Sequence, residues 1–167
     1  VFLEVTSEGI KQYRHKFIKF YAAIFTNLSE EHLESHGGFE NYRRAKLELF
    51  KVAPIHILNG DDPNFMFFNR IPAKKKVVYK MADYPKDLET RLPGEFNKNN
   101  ILTAVAFAKE EGLSWDVIKK AVWDFAGLPG RMEFIETSHR FKVLVDYAFL
   151  PQALEKVYAT LNTLGYE

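Results

Sequence analysis

Short apolar runs that alternate with helical patterns limit the folds open to this chain more than any other feature of its sequence. Runs rich in Val, Ile, Phe and Tyr lie near residues 1–6, 20–26, 55–58 and 77–79. The second run is apolar enough to be buried on both faces, as is typical of a strand in a parallel sheet. Strands that alternate with helices predict an α/β fold with a doubly wound, mainly parallel sheet.

One helical pattern places a lysine among aromatic residues. Phe39, Tyr42, Lys46 and Phe50 recur at the i, i+3, i+7, i+11 spacing of a single helix face. Three of them are large and aromatic, so we expect this face to be buried, with Lys46 where an apolar residue would be usual. Burial would lower the pKa of the lysine and leave a neutral, reactive amine. The alternative is that the aliphatic stem packs on the core while the ammonium group reaches water.

Polar residues close to the predicted strands are candidates for a metal site. His32 and His36 are four residues apart, which would suit zinc or manganese if further ligands were near. Glu4 is the single acid of the first run, and its residue type and position alone predict that it caps the next helix or faces water. For Asp61 and Asp62 we expect turn formation and capping of the next helix rather than metal binding.

The second half of the chain predicts three helices and a hairpin. A long amphipathic helix begins after residue 92 and ends near Gly112, with Ile101, Val105 and Ala108 on its buried face. Further helices are predicted at 114–125 and 152–164. The alternating runs 132–136 and 141–145 predict a β-hairpin.

Composition excludes several classes of protein. The 167 residues are 47% hydrophobic and include 15 Phe, which indicates a packed globular chain. A net charge of +1 gives no electrostatic basis for binding nucleic acid or an anionic membrane. The absence of cysteine excludes disulfides and thiolate metal sites and fits a cytosolic protein. We expect no signal peptide, and the 167 residues contain no run long enough to span a membrane and no G-x-x-x-x-G-K-[ST] phosphate loop.

Motifs along nearly the whole chain resemble one enzyme family. The stretch TNLSEEHLESHG, followed by E-x-Y-x-x-A-K-x-x-L-F, resembles the signature of the Mur ligases, the ATP-dependent amide ligases of peptidoglycan synthesis. It is most similar to the branch that adds the third residue to UDP-MurNAc-dipeptide. The segments LEVTSEGI, LPGEFNKNN, GLPGRME and VDYAFLP resemble further motifs of the family, while the segment around 74–91 is unmatched. In that family the phosphate loop lies upstream of this region, so we expect the chain to be a piece of a longer enzyme.

The resemblance implies a role for specific residues. It implies that Mg²⁺ is held by Glu4, His32 and a carbamylated Lys46. It implies that Thr6, Gln12 and Arg14 contact the muramoyl-peptide substrate. For ATP, it implies that Asn97 and Asn100 contact the adenine, Arg131 the phosphate and Asp146 the ribose. Glu8, Phe149 and Leu150 depart from the family pattern, and His36 is expected to be structural.

The resemblance also implies how the chain is organised and what it does. Residues 1–145 would be part of a central domain, and 146–167 the hinge and first helix of an α/β C-terminal domain. The implied reaction joins an amino acid to UDP-MurNAc-peptide through an acyl phosphate. We expect a cytoplasmic monomer that binds neither nucleic acid nor membrane, and expect the 167 residues alone to be inactive. The rival interpretations are a folylpolyglutamate or cyanophycin synthetase, and a non-catalytic binding domain derived from such a ligase.

Overall fold

A computed structural model describes residues 1–29 and 36–166 of the chain. The chain divides into two compact units, Val1–Asp83 and Tyr84–Glu167. Each unit has a hydrophobic core of its own. The division predicted between residues 145 and 146 would separate a central domain from a C-terminal domain and does not coincide with the boundary between these units. It stays a prediction.

The first unit is built on a three-stranded parallel sheet. Strands β1 (Ala22–Phe25), β2 (Ile55–Asn59) and β3 (Lys75–Tyr79) pair in the order β1-β2-β3. In this register Ala22 is opposite Ile55, which is opposite Lys75, so the three strands begin at one edge of the sheet and end at the other. The α/β fold and the parallel sheet are therefore confirmed.

The helices of the first unit flank these strands in the chain. Helix α1 (Ser7–Lys11) precedes β1, α2 (Phe39–Val52) lies between β1 and β2, and α3 (Phe65–Asn69) lies between β2 and β3. A short 3-10 helix, Met81–Asp83, follows β3.

The strand predicted for residues 1–6 is wrong. These residues have no regular secondary structure, and Val1, Phe2 and Leu3 are exposed. An apolar run forms a strand only where a neighbouring strand satisfies its backbone groups, and in the described structure β1 pairs only with β2. The chain instead turns into α1, where the Thr6 hydroxyl oxygen accepts a hydrogen bond from the Gly9 amide (3.0 Å) and caps the helix.

Aromatic side chains from β1, α2 and α3 form the core of the first unit. Phe68 stacks on Phe25 with ring centroids 3.9 Å apart and meets the edge of Phe50 at 4.9 Å. Tyr42 and Phe50 are buried, whereas Phe39 and Lys46 are half-buried. The predicted buried face of α2 is confirmed. It fixes α2 against the sheet, because each buried aromatic contributes about 2 kcal/mol or more of transfer free energy.

The second unit consists of helices and a hairpin. It contains α4 (Glu95–Glu110), α5 (Trp115–Asp124), the antiparallel pair β4 (Glu133–Ile135) and β5 (Val143–Val145), and α6 (Pro151–Thr163). The predicted hairpin and three helices are confirmed with small changes of boundary. One buried cluster in its described part contains the apolar residues Leu88, Ile101, Val105 and Ile118. None of the helices in the described ranges is long and apolar enough to cross a bilayer.

Candidate active site

Lys46 joins α2 to the start of the chain. It is half-buried, and its Nζ donates a hydrogen bond to the backbone oxygen of Val5 at 3.1 Å, across 41 residues of sequence. The amine therefore lies beside the residue that follows Glu4, whose own side chain is exposed. Two of the three predicted metal-site positions thus share one region. The third, His32, lies outside the described residues.

The chemistry of these side chains suits a hard cation. No group of three or more His, Cys, Asp and Glu that could hold a metal occurs within residues 1–29 and 36–166, but that set leaves out a modified lysine. A carbamate on Lys46 would supply two oxygens that share one negative charge, and the nitrogen would keep one N–H that can still donate to Val5. Together with the Glu4 carboxylate these are the oxygen donors that Mg²⁺ prefers, whereas the third implied ligand, His32, would add a nitrogen donor. The described residues therefore fit the implied metal.

The three predicted substrate residues lie around α1. Thr6 caps the helix at its start, Gln12 follows its last residue, and Arg14 lies two residues further on. All three side chains are exposed. The structure thus places a hydroxyl, an amide and a guanidinium group near one short helix, next to the segment that Lys46 contacts.

A pair of residues that the sequence did not connect attaches α1 to the start of α2. The Nε2 atom of His36 lies 3.1 Å from a Glu8 carboxylate oxygen and 3.0 Å from the Ser7 hydroxyl. The His36 side chain is only 1% exposed. Because a carboxylate only accepts hydrogen bonds, Nε2 carries the proton that is donated to Glu8. This burial agrees with the structural role predicted for His36, and it gives Glu8, which departs from the family pattern, a partner within the fold.

Polar side chains at and just after the end of β2 fix the connection that leaves β1. One Asp62 oxygen accepts a hydrogen bond from the Leu28 amide (3.0 Å), and the other accepts from the Asn64 amide (2.7 Å). The Asn59 side chain donates to the Thr26 oxygen (2.7 Å), and the Asn64 side chain donates to the Leu28 oxygen (3.2 Å). We call Asn59, Asp62 and Asn64 the strand-end network.

The strand-end network refines the prediction for the two adjacent acids. Asp62 takes part in the predicted turn, and Asp61 accepts a hydrogen bond from the Met81 amide (2.6 Å). The predicted cap is wrong, since Asn64 is the N-cap of α3 and its side chain makes no capping hydrogen bond. The bond from Asp62 to Leu28 was missed. The signal available was that parallel strands end at the same edge of a sheet, so polar residues after β2 meet the chain after β1.

In the second unit the structure brings Arg131 and Asp146 together. The two Asp146 carboxylate oxygens accept hydrogen bonds from the amides of Met132 (2.8 Å) and Ala148 (2.7 Å). The guanidinium carbon of Arg131 lies 4.6 Å from the centre of the Tyr147 ring. Arg131 is exposed, so its guanidinium group is accessible to an anionic ligand.

Asn97 and Asn100 lie at the start of α4, three residues apart on neighbouring positions of one face. The half-buried Asn97 donates to the Pro93 oxygen at 2.7 Å, while Asn100 is exposed. Within the described part of this unit, no hydrogen bond joins either asparagine to Arg131 or Asp146. The predicted nucleotide residues thus form two pairs.

Comparisons with known proteins agree with this fold. The family model of the Mur ligase middle domain matches residues 1–87. A 2,6-diaminopimelate ligase acting on UDP-N-acetylmuramoyl-L-alanyl-D-glutamate, from Syntrophomonas wolfei, is 32% identical over 99% of this chain and 40% of its own length. The UDP-N-acetylmuramyl-tripeptide synthetase 2 of Oceanobacillus iheyensis is 34% identical over 96% of this chain and 39% of its length.

Solved structures show the same similarity. The structure of a UDP-N-acetylmuramoyl-L-alanyl-D-glutamate–2,6-diaminopimelate ligase superposes with a TM-score of 0.76 at 28% identity, covering 96% of this chain and 39% of the other. MurF from Acinetobacter baumannii gives a TM-score of 0.73 at 23% identity over 90% of this chain and 39% of its own, which supports the fold alone. The chain spans about two-fifths of the length of the curated relatives that it matches. With more than half of its residues matched by the middle-domain model, this chain belongs to the Mur ligase family.

Proposed function

We propose that this chain is part of an ATP-dependent ligase that adds an amino acid to UDP-MurNAc-peptide in peptidoglycan synthesis. The observation that carries the proposal is the contact of the Lys46 amine with Val5, which brings this side chain of α2 to the segment of Glu4 and Thr6. Family membership and relatives named as diaminopimelate ligases and tripeptide synthetases support it.

The reaction proceeds in two steps. The substrate carboxylate attacks the γ-phosphorus of ATP, and the bond from this phosphorus to the β-phosphate oxygen breaks. ADP departs, and the substrate becomes an acyl phosphate. The amino group of the incoming amino acid then attacks the acyl carbon and loses a proton, which gives a tetrahedral intermediate. This intermediate expels phosphate to give the amide. No protein nucleophile is required, because phosphoryl transfer depends on positioning and on neutralising charge.

In this proposal Glu4, His32 and carbamylated Lys46 hold Mg²⁺. When bound, the ion neutralises negative charge on the phosphoryl group that is transferred. Val5 has a separate task, since its carbonyl oxygen accepts the Lys46 N–H and thereby orients the end of a long, flexible side chain.

The remaining residues bind the two substrates. Asn97 and Asn100 offer both donors and acceptors to the adenine edge, and the planar Arg131 fork suits phosphate oxygens. Each Asp146 oxygen accepts one backbone N–H and has a second lone pair for a ribose hydroxyl. Thr6, Gln12 and Arg14 contact the muramoyl peptide. Both nucleotide substrates are cytoplasmic metabolites, so we place the enzyme in the cytoplasm. We propose separately that it acts as a monomer.

The decisive experiment examines Lys46 in the full-length ligase that contains this chain. Lys46→Arg keeps the charge of the unmodified lysine but cannot be carbamylated, so we expect at least about a hundredfold lower turnover, as for loss of a group that stabilises transition-state charge. Carbon-13 NMR with labelled bicarbonate should show a carbamate signal in the wild type that is absent from the variant.

The matched control is Lys51→Arg at the exposed end of the same helix, where Lys51 pairs with Glu48. This variant should keep both the turnover and the carbamate signal. Wild-type turnover by Lys46→Arg would refute the proposed role, and so would a carbamate signal that persists in that variant.

A further inference from the structure

The edge at which the three strands begin carries a concentration of positive charge. Because the sheet is parallel, the start of β3 and the segments that lead into β1, β2 and β3 reach the same edge; they are residues 17–21, 48–54 and 70–76. Together we call these segments the basic edge. They contain one acid, Glu48, and six cationic side chains, Lys19, Lys51, Arg70, Lys74, Lys75 and Lys76. All six of these cationic residues are exposed.

The opposite edge has the reverse charge. The described residues that follow the three strands are 26–29, 60–64 and 80–83. They contain Asp61, Asp62 and Asp83 and a single cation, Lys80. The near-zero net charge of the chain therefore conceals a polarised unit, with a basic edge at the strand starts and an acidic edge at the strand ends.

Exposed apolar side chains lie among the cations of the basic edge. Phe17 is fully exposed, and Ile18, Tyr21 and Val52 are each about half exposed, at 45%, 57% and 55%. The Phe17 backbone has a φ of 68°, a left-handed conformation that is unfavourable for a side chain of this size. A fold that exposes an aromatic ring in a strained conformation, among lysines, presents a surface suited to a partner that is both apolar and anionic.

We propose that the basic edge docks on an anionic lipid bilayer. Peripheral attachment requires two signals, and this edge provides both: lysines that are attracted to anionic headgroups, and Phe, Ile, Val and Tyr side chains that enter the interface. Five of its six cations are lysines, which act as point charges toward a diffuse anionic surface. Nucleic-acid recognition relies more on the arginine fork, of which this edge has one.

The basic edge and the candidate active site consist of different residues. None of the residues proposed to bind metal, nucleotide or peptide belongs to the three segments that define this edge. The inference does not depend on the proposed reaction, because charge and exposure alone support it.

The test is co-sedimentation of the purified 167-residue chain with vesicles of phosphatidylcholine, with and without phosphatidylserine, at low and high salt. We expect binding only to vesicles that contain phosphatidylserine, and loss of binding at high salt. Each lysine near such a surface changes the affinity about fivefold. The variant Lys19→Gln/Lys74→Gln/Lys75→Gln should therefore bind about a hundredfold more weakly.

The matched control removes the same charge elsewhere. Lys86→Gln/Lys142→Gln/Lys156→Gln replaces three exposed lysines outside the basic edge and should bind within about threefold of wild type. Phe17→Ser leaves the charge unchanged and should weaken binding through the apolar signal alone. All the substituted side chains are exposed, and unchanged circular dichroism and melting temperature will show that the variants fold.

Three results would overturn the proposal. The first is no binding to phosphatidylserine vesicles at low salt. The second is an equal loss of binding in the two lysine triples, which would reduce the effect to net charge. The third is tighter binding to a single-stranded oligonucleotide than to the vesicles, which would assign the basic edge to nucleic acid.

Discussion

Two basic side chains of the first unit, Lys46 and His56, donate hydrogen bonds to backbone carbonyl groups, and the two side chains differ in how deeply they are buried. Lys46 is half-buried, and its amine donates to the Val5 oxygen. His56 in β2 has no exposed surface, and its Nε2 lies 2.7 Å from the Phe50 oxygen and 3.1 Å from the Ala53 oxygen. Carbonyl oxygens only accept, so Nε2 carries the proton, and in the described structure Nδ1 has no partner. Burial lowers the pKa of His56, and the Lys76 charge adds to this, while the two backbone hydrogen bonds act in the opposite direction.

The lowered pKa of His56 predicts a first unit that becomes less stable in mild acid. The unfolded chain binds a proton near pH 6.5, whereas the folded chain binds it only at lower pH. The stabilisation is therefore complete above about pH 6.5 and decreases as the pH falls toward the folded pKa, with a limiting slope of about 1.4 kcal/mol per pH unit.

The pH dependence of His56 can be measured by hydrogen exchange of the buried Ile57 and Leu58 amides in β2. In His56→Gln, which keeps a side-chain donor but cannot titrate, the slope between about pH 6.5 and 5 should be smaller than in wild type. His139→Gln, in the exposed turn of the hairpin, should retain the wild-type slope. Equal slopes for wild type and His56→Gln would show that another group is responsible.

At the scale of elements, the sequence predicts what depends on local pattern. The β2 and β3 strands and the buried face of α2 follow from apolar runs and from the spacing of Tyr42 and Phe50. The run at 1–6 is apolar like the strands but has no neighbouring strand in the described structure. Composition alone does not show whether a neighbouring strand is present. The contact of Asp62 with Leu28 could have been inferred from the parallel sheet, but the contact of Glu8 with His36 depends on how α1 and the segment before α2 align, which a single sequence does not specify.

In the candidate site, too, the sequence predicts local features but not contacts between distant elements. Its residue types could be read from motifs, and Lys46 could be assigned to a helix face by spacing alone. Its contact with Val5, 41 residues away, could not, because that contact depends on how α1 and α2 pack. The sequence likewise does not show that Arg131 lies over Tyr147 while Asp146 accepts from Met132.

The strand-end network predicts a large effect for a single turn residue. Asp62→Ala leaves the amides of Leu28 and Asn64 without their acceptor, so we expect a loss of about 2–3 kcal/mol in the free energy of unfolding of the first unit. Hydrogen exchange at the Leu28 amide should accelerate most. The control is Glu48→Ala, which removes an exposed ion pair with Lys51 and should cost less than about 1 kcal/mol. A similar small cost for both variants would mean that water replaces the Asp62 carboxylate without penalty.

At the scale of the whole molecule, the proposed catalytic groups are distributed over two compact units. The metal and peptide residues lie within Val1–Asp83, and the nucleotide residues lie within Tyr84–Glu167. The 167 residues correspond to about two-fifths of the length of related ligases and include no G-x-x-x-x-G-K-[ST] phosphate loop. The parts present are therefore a subset of those that the proposed reaction needs.

This distribution predicts that the 167-residue polypeptide alone does not catalyse the ligation. Phosphoryl transfer needs the phosphate cradle, the metal and the cationic side chains to act at once, and the loss of groups that act as a unit is strongly non-additive. Weak binding of magnesium or nucleotide to the retained residues would not amount to turnover.

The measurement is phosphate release by the purified chain with ATP, Mg²⁺, UDP-MurNAc-dipeptide and candidate amino acids, beside a Lys46→Ala control. We expect equal background rates in both, because without the phosphate loop Lys46 has no transferring phosphoryl group to act upon. Substrate-dependent release above the Lys46→Ala rate would mean instead that the two units of this chain position and neutralise the γ-phosphate by themselves. The cationic side chain that neutralises the γ-phosphate would then have to belong to these 167 residues. Arg131→Ala would be the first variant to measure.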